Sequence, residues 1–220
     1  RIMDRTELQD QADDFQTWDT KTFAKTITQL HLQAIEKDEI LQKAPISDYE
    51  VLLNKGEESA QYRPTLYDLL THRAIEFFNQ SGMMLPESKE DFDLRPQDAF
   101  LPSAQFATFN FVAENPQSPT FQVIKLYQKL IGFHQNSGNT YALVDADLNR
   151  FTFVKNKTSD QNAYKKALED LLETSPAHPS KGDISLALAQ TLYTLNSNTE
   201  IEASQEERQN SKKQALKIAQ

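Results

Sequence analysis

The amino-acid sequence predicts an all-α fold: an array of antiparallel, repeat-like helical hairpins with one long extended crossover around residues 82–118. Five glycines in 220 residues are few for a sheet-rich protein, which needs many tight turns. Gln, Lys, Glu, Ala and Leu are plentiful, and most of these residues favour helices. Apolar residues also recur at helical spacing over most of the chain. We therefore expect an N-terminal helical part over 1–81, a packed crossover over 82–118 and C-terminal hairpins over 119–220, together forming one continuous domain.

The N-terminal part begins with a short acidic segment over about 4–16, after which Asp19 is expected to cap a long helix ending at Pro45. The apolar stripe predicted for this helix consists of Phe23, Ile27, Leu30, Ala34 and Leu41. Ser47 and Glu50 have the spacing of a capping box, which predicts a short helix over about 48–54 that stops at Gly56. Pro64-Thr65 then opens a strongly apolar helix over about 65–80, closed by Ser81-Gly82.

Four prolines interrupt the region that follows, and they exclude a long helix there: Pro86, Pro96, Pro102 and Pro116. The apolar residues between them lie in an extended context: Phe106, Phe109, Phe111 and Val112. We expect an ordered crossover with at most one short strand, held by the packing of its phenylalanines.

The sequence of the C-terminal part predicts five helices. Ser118 is expected to cap the first, over about 119–135, and a second covers about 139–155. Ser159 is expected to cap the third, Ile184 and Leu188 mark the fourth, and the fifth, at about 203–219, is marked by Ala215, Leu216 and Ala219. Starts near 119, 160 and 200 suggest hairpin repeats of about 40 residues, although the tetratricopeptide signature is not met.

Charge and composition exclude several classes of function. Residues 1–110 hold 11 Lys and Arg against 20 Asp and Glu, whereas residues 111–220 hold 12 of each, so the net charge of −9 lies in the first half. Neither half has the excess of basic residues that binding to nucleic acid or anionic lipid requires. The lack of cysteine excludes disulfides and thiolate catalysis, and no apolar run predicts membrane insertion by this segment. Arg1-Ile2-Met3-Asp4 is not a natural initiation, so we expect a segment of a longer protein.

No group of residues predicts a metal site. The four histidines are too far apart in sequence for a helical zinc pair, and we expect His72 to be a partly buried helix residue. Asp145-Ala146-Asp147-Leu148-Asn149 resembles the start of a calcium loop, but Arg150 stands where glycine is needed and Asn156 where glutamate is needed. We expect an ordinary helix here, with Leu148 inward and the carboxylates in solvent.

No group of residues predicts catalysis or cofactor binding either. Paired carboxylates are frequent in a chain with 32 acidic residues and carry little information. Nucleophile elbows and Gly-rich phosphate loops are absent from the sequence. The stripe of Tyr67, Phe77 and Phe78 is typical of a core, and Arg73 is expected to pair with Glu76 or Asp68 or to cover the core with its stem. We therefore predict no catalytic, cofactor-binding or metal-binding residue, no cofactor, and no enzymatic activity.

Several strings together carry a family resemblance. They are Trp18-Asp19, Ile46-Ser47-Asp48-Tyr49 with Leu52-Leu53, the run from Arg63 to Phe78 (RPTLYDLLTHRAIEFF), and the run from Ala142 to Val154. The chain resembles a helical region of large bacterial alpha-2-macroglobulin-like proteins, which lies well before their macroglobulin domains. The resemblance implies a parent in the periplasm or cell envelope that traps proteases, in which cleavage of a bait region triggers collapse around the protease. Many members then attach the protease through a Cys–Gln thioester, which this cysteine-free chain cannot supply.

The resemblance makes this chain a non-catalytic structural or interaction segment, a scaffold or docking arm. Its partners would be other domains of the parent chain and a protease or envelope protein that the parent binds. Two alternatives stay open. One is a helical-repeat binding module for a peptide or glycan, whose concave face would expose Tyr62, Tyr67, Tyr127 and Tyr141. The other is a helical hydrolase that uses paired carboxylates.

Overall fold

The computed structural model describes residues 15–53, 59–80, 90–198 and 205–219. These residues are mostly helical and form no β-strand; a single isolated bridge joins Pro45 and Thr65. The all-α prediction is confirmed, whereas the repeat-like arrangement of hairpins stays a prediction. Most of the acidic segment expected over 4–16, the stops expected at Gly56 and at Ser81-Gly82, and residues 82–89 lie outside the described residues.

Eleven α-helices are described. They are α1 Thr20–Ala34, α2 Asp38–Leu41, α3 Ser59–Tyr62, α4 Leu66–Gln80, α5 Pro96–Ala99, α6 Ser103–Thr108, α7 Pro119–Ser137, α8 Thr140–Thr158, α9 Gln161–Thr174, α10 Lys181–Asn198 and α11 Gln205–Ala219. Two 3₁₀ helices cover Phe15–Thr17 and Ile46–Leu52. None of the described helices is long and apolar enough to cross a membrane.

The chain divides into two compact units. Unit 1 comprises Arg1–Asp93 and Asn110–Leu126, and unit 2 comprises Leu94–Phe109 and Tyr127–Gln220. The border therefore falls twice within the region expected to be one crossover, and once within α7.

Unit 1 contains α1 and α4, which pack against each other. Asp19 caps α1 as predicted, because its carboxylate accepts a hydrogen bond of 2.7 Å from the backbone N–H of Thr22. Thr65 and Asp68 cap α4 reciprocally: Asp68 accepts from the backbone N–H and the hydroxyl of Thr65, at 3.0 and 2.7 Å. The inner face of α4 includes Tyr67, Ala74, Ile75 and Phe78, as expected of a core stripe.

The predicted long helix ending at Pro45 is wrong. α1 ends at Ala34, and a separate turn of helix, α2, begins at Asp38, whose carboxylate accepts from the N–H of Glu39. The break buries Ile35. The predicted stripe is wrong in part as well, because Leu30 is 58% exposed whereas Ala24 and Thr28 face inward.

The capping box expected at Ser47 is also not formed. The 3₁₀ helix begins at Ile46, which is buried, so Ser47 lies inside it and Pro45 takes the preceding position. The helix therefore begins two residues earlier than the polar spacing predicted, with the buried Ile46 as its first residue.

Unit 2 has its core between α8, α9 and α10, where the buried residues are Val144, Phe151, Tyr164, Ala167, Leu168, Ile184 and Leu188. Successive helices from α8 to α11 contact one another in chain order. The apolar face of α7 in this unit is buried as well, at Tyr127, Leu130 and Ile131.

One prediction at the helix ends of unit 2 is wrong. Ser159 does not cap α9; it ends α8 in a left-handed conformation with φ of 59°, and Asp160 accepts from the N–H of Ala163 as the cap. The fifth predicted helix corresponds to α11, in which Leu216 is 64% exposed while Ile218 packs against the core.

The predicted extended crossover is corrected as well. Two short helices, α5 and α6, lie within it, and Phe106 is buried on α6 and not on a strand. Pro96 opens α5 and Pro102 directly precedes α6, because proline is compatible with the first turn of a helix. The expected packing is confirmed for Phe106 and Phe111, which are buried together with Phe92, whereas Phe109 is half-buried and Val112 is 74% exposed.

Candidate functional site: a buried ion pair beside a groove

The most distinctive polar cluster of the described residues lies on α8. Asp147 and Arg150 are three residues apart and form an ion pair with an N–O distance of 2.6 Å. Their side chains are 1% and 0% exposed. The expectation that the carboxylates of this helix face solvent is therefore wrong for Asp147. Its position follows from helical spacing, because residues 144, 147, 151 and 154 share one face of α8.

Arg150 uses its guanidinium to hold the backbone of the segment between α5 and α6. Nη1 donates to the carbonyl oxygens of Ala99 and Leu101 at 2.7 and 3.0 Å, and Nη2 donates to Leu101 at 3.0 Å. Nε and Nη2 also donate to Oδ1 of Asp147, at 3.1 and 2.6 Å. These five hydrogen bonds match the five N–H groups of a guanidinium.

Asp147 is bound from its other side by Ser103, whose hydroxyl donates to Oδ2. The guanidinium carbon of Arg150 lies 4.0 Å from the ring centre of Phe106 and 4.4 Å from that of Phe151. We call Asp147, Arg150, Ser103 and the carbonyls of Ala99 and Leu101 the clasp. The guanidinium is thus in contact with two aromatic rings in addition to its hydrogen-bond partners.

Burial and the charge of Asp147 act in opposite directions on the pKa of Arg150. Desolvation lowers the pKa of Arg150, and the adjacent carboxylate of Asp147 opposes that effect. A buried charge without partners costs several kcal/mol, on the order of the whole stability of a domain, so the pair depends on its complete set of hydrogen bonds. All five N–H groups of Arg150 are used by groups of the protein itself.

A second polar anchor supports the same segment. The side-chain amide of Gln128 on α7 donates to the carbonyl oxygens of Phe106 and Phe109, both at 2.7 Å. Residues 99–109 are thus held at four backbone carbonyls by two buried side chains.

A groove of about 620 Å³ lies between this held segment and α9. It is lined by Pro96, Gln97, Phe100, Leu101, Pro102, Asp160, Ala163, Lys166, Ala167 and Asp170. Its volume is in the range of ligand sites in proteins, which is about 300–1,000 Å³. The walls are mainly apolar, and the charged groups belong to α9 and to its cap.

A smaller notch of about 60 Å³ shares part of the groove wall. Phe100, Pro102, Ala167 and Asp170 line both cavities, while Ser103, Phe151, Leu171 and Thr174 line the notch alone. Ser103 belongs to the clasp and the ring of Phe151 lies against the guanidinium of Arg150, so the notch lies next to the buried ion pair.

The residues weighed in the sequence analysis are placed elsewhere. Within the described ranges, no group of three or more His, Asp or Glu side chains could hold a metal ion. The oxygen Oδ1 of Asp145 accepts from the amide of Asn149 at 2.9 Å, as in an ordinary helix. Arg73 is exposed and His72 is half-buried, the latter as predicted.

The tyrosine surface expected of a binding module is not formed. Tyr67 and Tyr127 are 1% and 3% exposed, and they belong to the cores of different units. Burial raises the pKa of Tyr67 to about 12, above its usual value of 10.0. The residues that line the groove, by contrast, were not singled out, because they come from two segments about 60 residues apart.

No protein-family model, no curated protein and no solved structure matches this chain.

Proposed function

We propose that this chain is a non-catalytic structural and interaction segment of a large, alpha-2-macroglobulin-like envelope protein that traps proteases. The observation that supports a structural role is the clasp: a buried arginine whose hydrogen bonds all go to the protein itself. Such an arrangement holds a loop in one conformation and leaves no charged group free for chemistry.

The family and location in this proposal rest on the resemblance of the strings at 18–19, 46–53, 63–78 and 142–154. In that setting the chain would be a scaffold or docking arm in the periplasm or cell envelope. It would contact other domains of its parent and a protease or envelope protein that the parent binds.

The native gene product tests this proposal. Its mass and sequence should reveal a protein many times longer than 220 residues, with β-sandwich repeats beyond the segment. Incubation of the purified native protein with a protease should produce a compact complex that migrates faster on a native gel. A native product without such repeats, or one that is degraded without trapping the protease, contradicts the proposal.

The second candidate is a binding module for a peptide or glycan, and the groove of about 620 Å³ favours it. This candidate needs no macroglobulin parent, so the two proposals separate if the isolated chain binds a ligand and the native protein traps nothing.

The groove gives little support to a hydrolase with paired carboxylates. Asp160 and Asp170 are ten residues apart along α9, a distance of about 15 Å at the helical rise. Glycosidase carboxylates lie roughly 5–9.5 Å apart, so these two cannot flank one bond.

A further inference from the structure

We propose that the groove between residues 96–102 and α9 binds an extended peptide that carries one branched aliphatic side chain and, three or four residues before or after it, one basic side chain. The inference deepens the proposed function, on which it rests in treating the chain as an interaction segment. It names the surface and the chemistry of the partner.

The walls of the groove suit a peptide more than a sugar. Six of its ten lining residues are apolar or proline, and its aromatic side chain is Phe100. Sugar sites require many polar groups around the ring hydroxyls, whereas the polar lining here is restricted to Gln97, Asp160, Lys166 and Asp170. An apolar floor with a few charges at its edge matches a peptide with one anchoring side chain.

The notch provides the place for that anchor. Its volume of about 60 Å³ is enough for a small aliphatic group, and Phe100, Phe151, Leu171 and Pro102 supply apolar contacts. Ala167 on α9 leaves the passage from groove to notch open. A leucine or valine side chain is therefore the expected anchor.

The charges on α9 select the second feature of the peptide. Lys166 and Asp170 are four residues apart on one helix, a spacing at which their charges offset each other. Asp160 stays as the unbalanced charge of the lining; its Oδ1 caps α9 by accepting from the N–H of Ala163. With Lys166 and Asp170 balanced, the lining keeps one net negative charge, so a basic side chain is the complementary partner at this end.

The spacing between the two features follows from helix geometry. Asp160 and Ala167, at the mouth of the notch, are seven residues apart on α9, which is about 10 Å. An extended peptide covers that distance with about three residues. If the anchor enters at the far side of the notch, the spacing between the two side chains becomes about four residues.

The clasp prepares this groove for binding. Arg150 holds the carbonyls of Ala99 and Leu101, the two neighbours of Phe100, so the apolar wall is fixed before a peptide arrives. A wall that needs no ordering on binding costs less conformational entropy. Arg150 is thus a positioning residue for the groove.

The test is fluorescence anisotropy of the whole chain with labelled eight-residue peptides of serine and glycine. Each peptide carries one lysine and one leucine, three or four residues apart and in either order. We expect saturable binding with a Kd on the order of 100 µM for at least one of them. Replacing the leucine by serine should weaken binding about tenfold or more, and replacing the lysine by glutamate about threefold or more.

Two variants with matched controls locate the site. Asp160→Asn keeps a good helix cap but removes the charge, and it should weaken binding of the lysine peptide about threefold while Glu173→Gln, on the outer surface of α9, leaves it unchanged. Ala163→Phe should obstruct the groove and abolish binding, whereas Asn162→Phe on the neighbouring exposed position should not. Circular dichroism of each variant establishes that it is folded.

Each outcome decides the inference separately from the proposed function. Lack of saturable binding by all the lysine–leucine peptides overturns the groove proposal but leaves the macroglobulin proposal to the native protein. Equal binding by the folded Ala163→Phe variant also overturns it, since the peptide then binds elsewhere. Equal binding of peptides with lysine or glutamate refutes the role of Asp160 and with it the stated partner chemistry.

Discussion

The two parts of the region between α4 and α7 are held in different ways. In unit 1, Phe92 packs edge-on against Phe111 and Phe121, with ring centres 6.3 and 5.2 Å apart, and Asn115 bonds to Asp91. In unit 2, the clasp and Gln128 hold residues 99–109 by directed hydrogen bonds. Aromatic packing tolerates small shifts, whereas a buried guanidinium with five partners permits one arrangement. The groove lies beside the part that is held rigidly.

The largest expected effect comes from breaking the clasp. Arg150→Met leaves Asp147 buried without its cation and removes the donors to Ala99 and Leu101, so we expect the free energy of unfolding to fall by about 3–5 kcal/mol. Urea unfolding monitored by circular dichroism measures it. Arg95→Met is the matched control, because Arg95 is 56% exposed in its pair with Asp98 and should cost less than about 1 kcal/mol. Equal losses of unfolding free energy in the two variants would show that the buried ion pair stabilises the protein no more than the exposed one.

A pH titration examines the core of unit 1, where Tyr67 is buried. The pKa of Tyr67 is raised to about 12 mainly by burial, so its contribution to stability is fully present below pH 10 and is lost as the pH rises towards 12. Two pKa units correspond to about 2–3 kcal/mol. We expect the urea midpoint of the unsubstituted chain to fall over this pH range, and that of the Tyr67→Phe variant to fall less. An identical decline in both chains would show that Tyr67 does not govern the alkaline limit.

Removing the third member of the clasp should have an intermediate effect. Ser103→Ala takes away the hydroxyl that donates to Oδ2 of Asp147 but leaves the ion pair intact, and we expect a loss of about 1–2 kcal/mol. Ser137→Ala, at an exposed helix end, serves as the control. A loss as large as that of Arg150→Met would mean that the hydroxyl, and not the arginine, secures the carboxylate.

The smallest expected effect belongs to the aromatic attachment. Phe92→Leu keeps the site apolar but removes the edge-to-face contacts with Phe111 and Phe121, at a cost of about 1 kcal/mol. Thermal unfolding of this variant beside Arg150→Met compares the two attachments directly. A larger loss of stability for Phe92→Leu than for Arg150→Met would show that the aromatic packing in unit 1 contributes more than the clasp in unit 2.

Much of the fold follows from local sequence signals. Asp19 and Ser118 cap helices where the sequence predicts, and the apolar faces of α4, α7 and α10 are buried largely as their spacing requires. These features depend on residues close together in the chain. The start of α9 differs by one residue, because Ser159 and Asp160 can each serve as a cap and the left-handed turn at Ser159 decides between them.

The clasp and the groove did not follow from such signals. Asp147 and Arg150 lie on the inner face of α8, so helical spacing could have indicated their burial, but their charges favoured a solvent position. Their backbone partners lie about 50 residues earlier, and nothing in the local sequence identifies which carbonyls an arginine will meet. The sequence did not predict the helices of the crossover, because proline both interrupts helices and occupies their first turn. At Pro96 and Pro102 the second role applies.

The sequence distance spanned by the clasp has a consequence for the order of folding. Arg150 binds carbonyls 51 and 49 residues upstream, and closing a loop of that length costs about 3–4 kcal/mol in chain entropy. At synthesis rates of roughly 5–20 residues per second, residues 99–101 leave the ribosome several seconds before Arg150 does. During that interval the segment has no guanidinium to hold it, so we expect its docking to follow the formation of α8 and to be among the last steps of folding in unit 2.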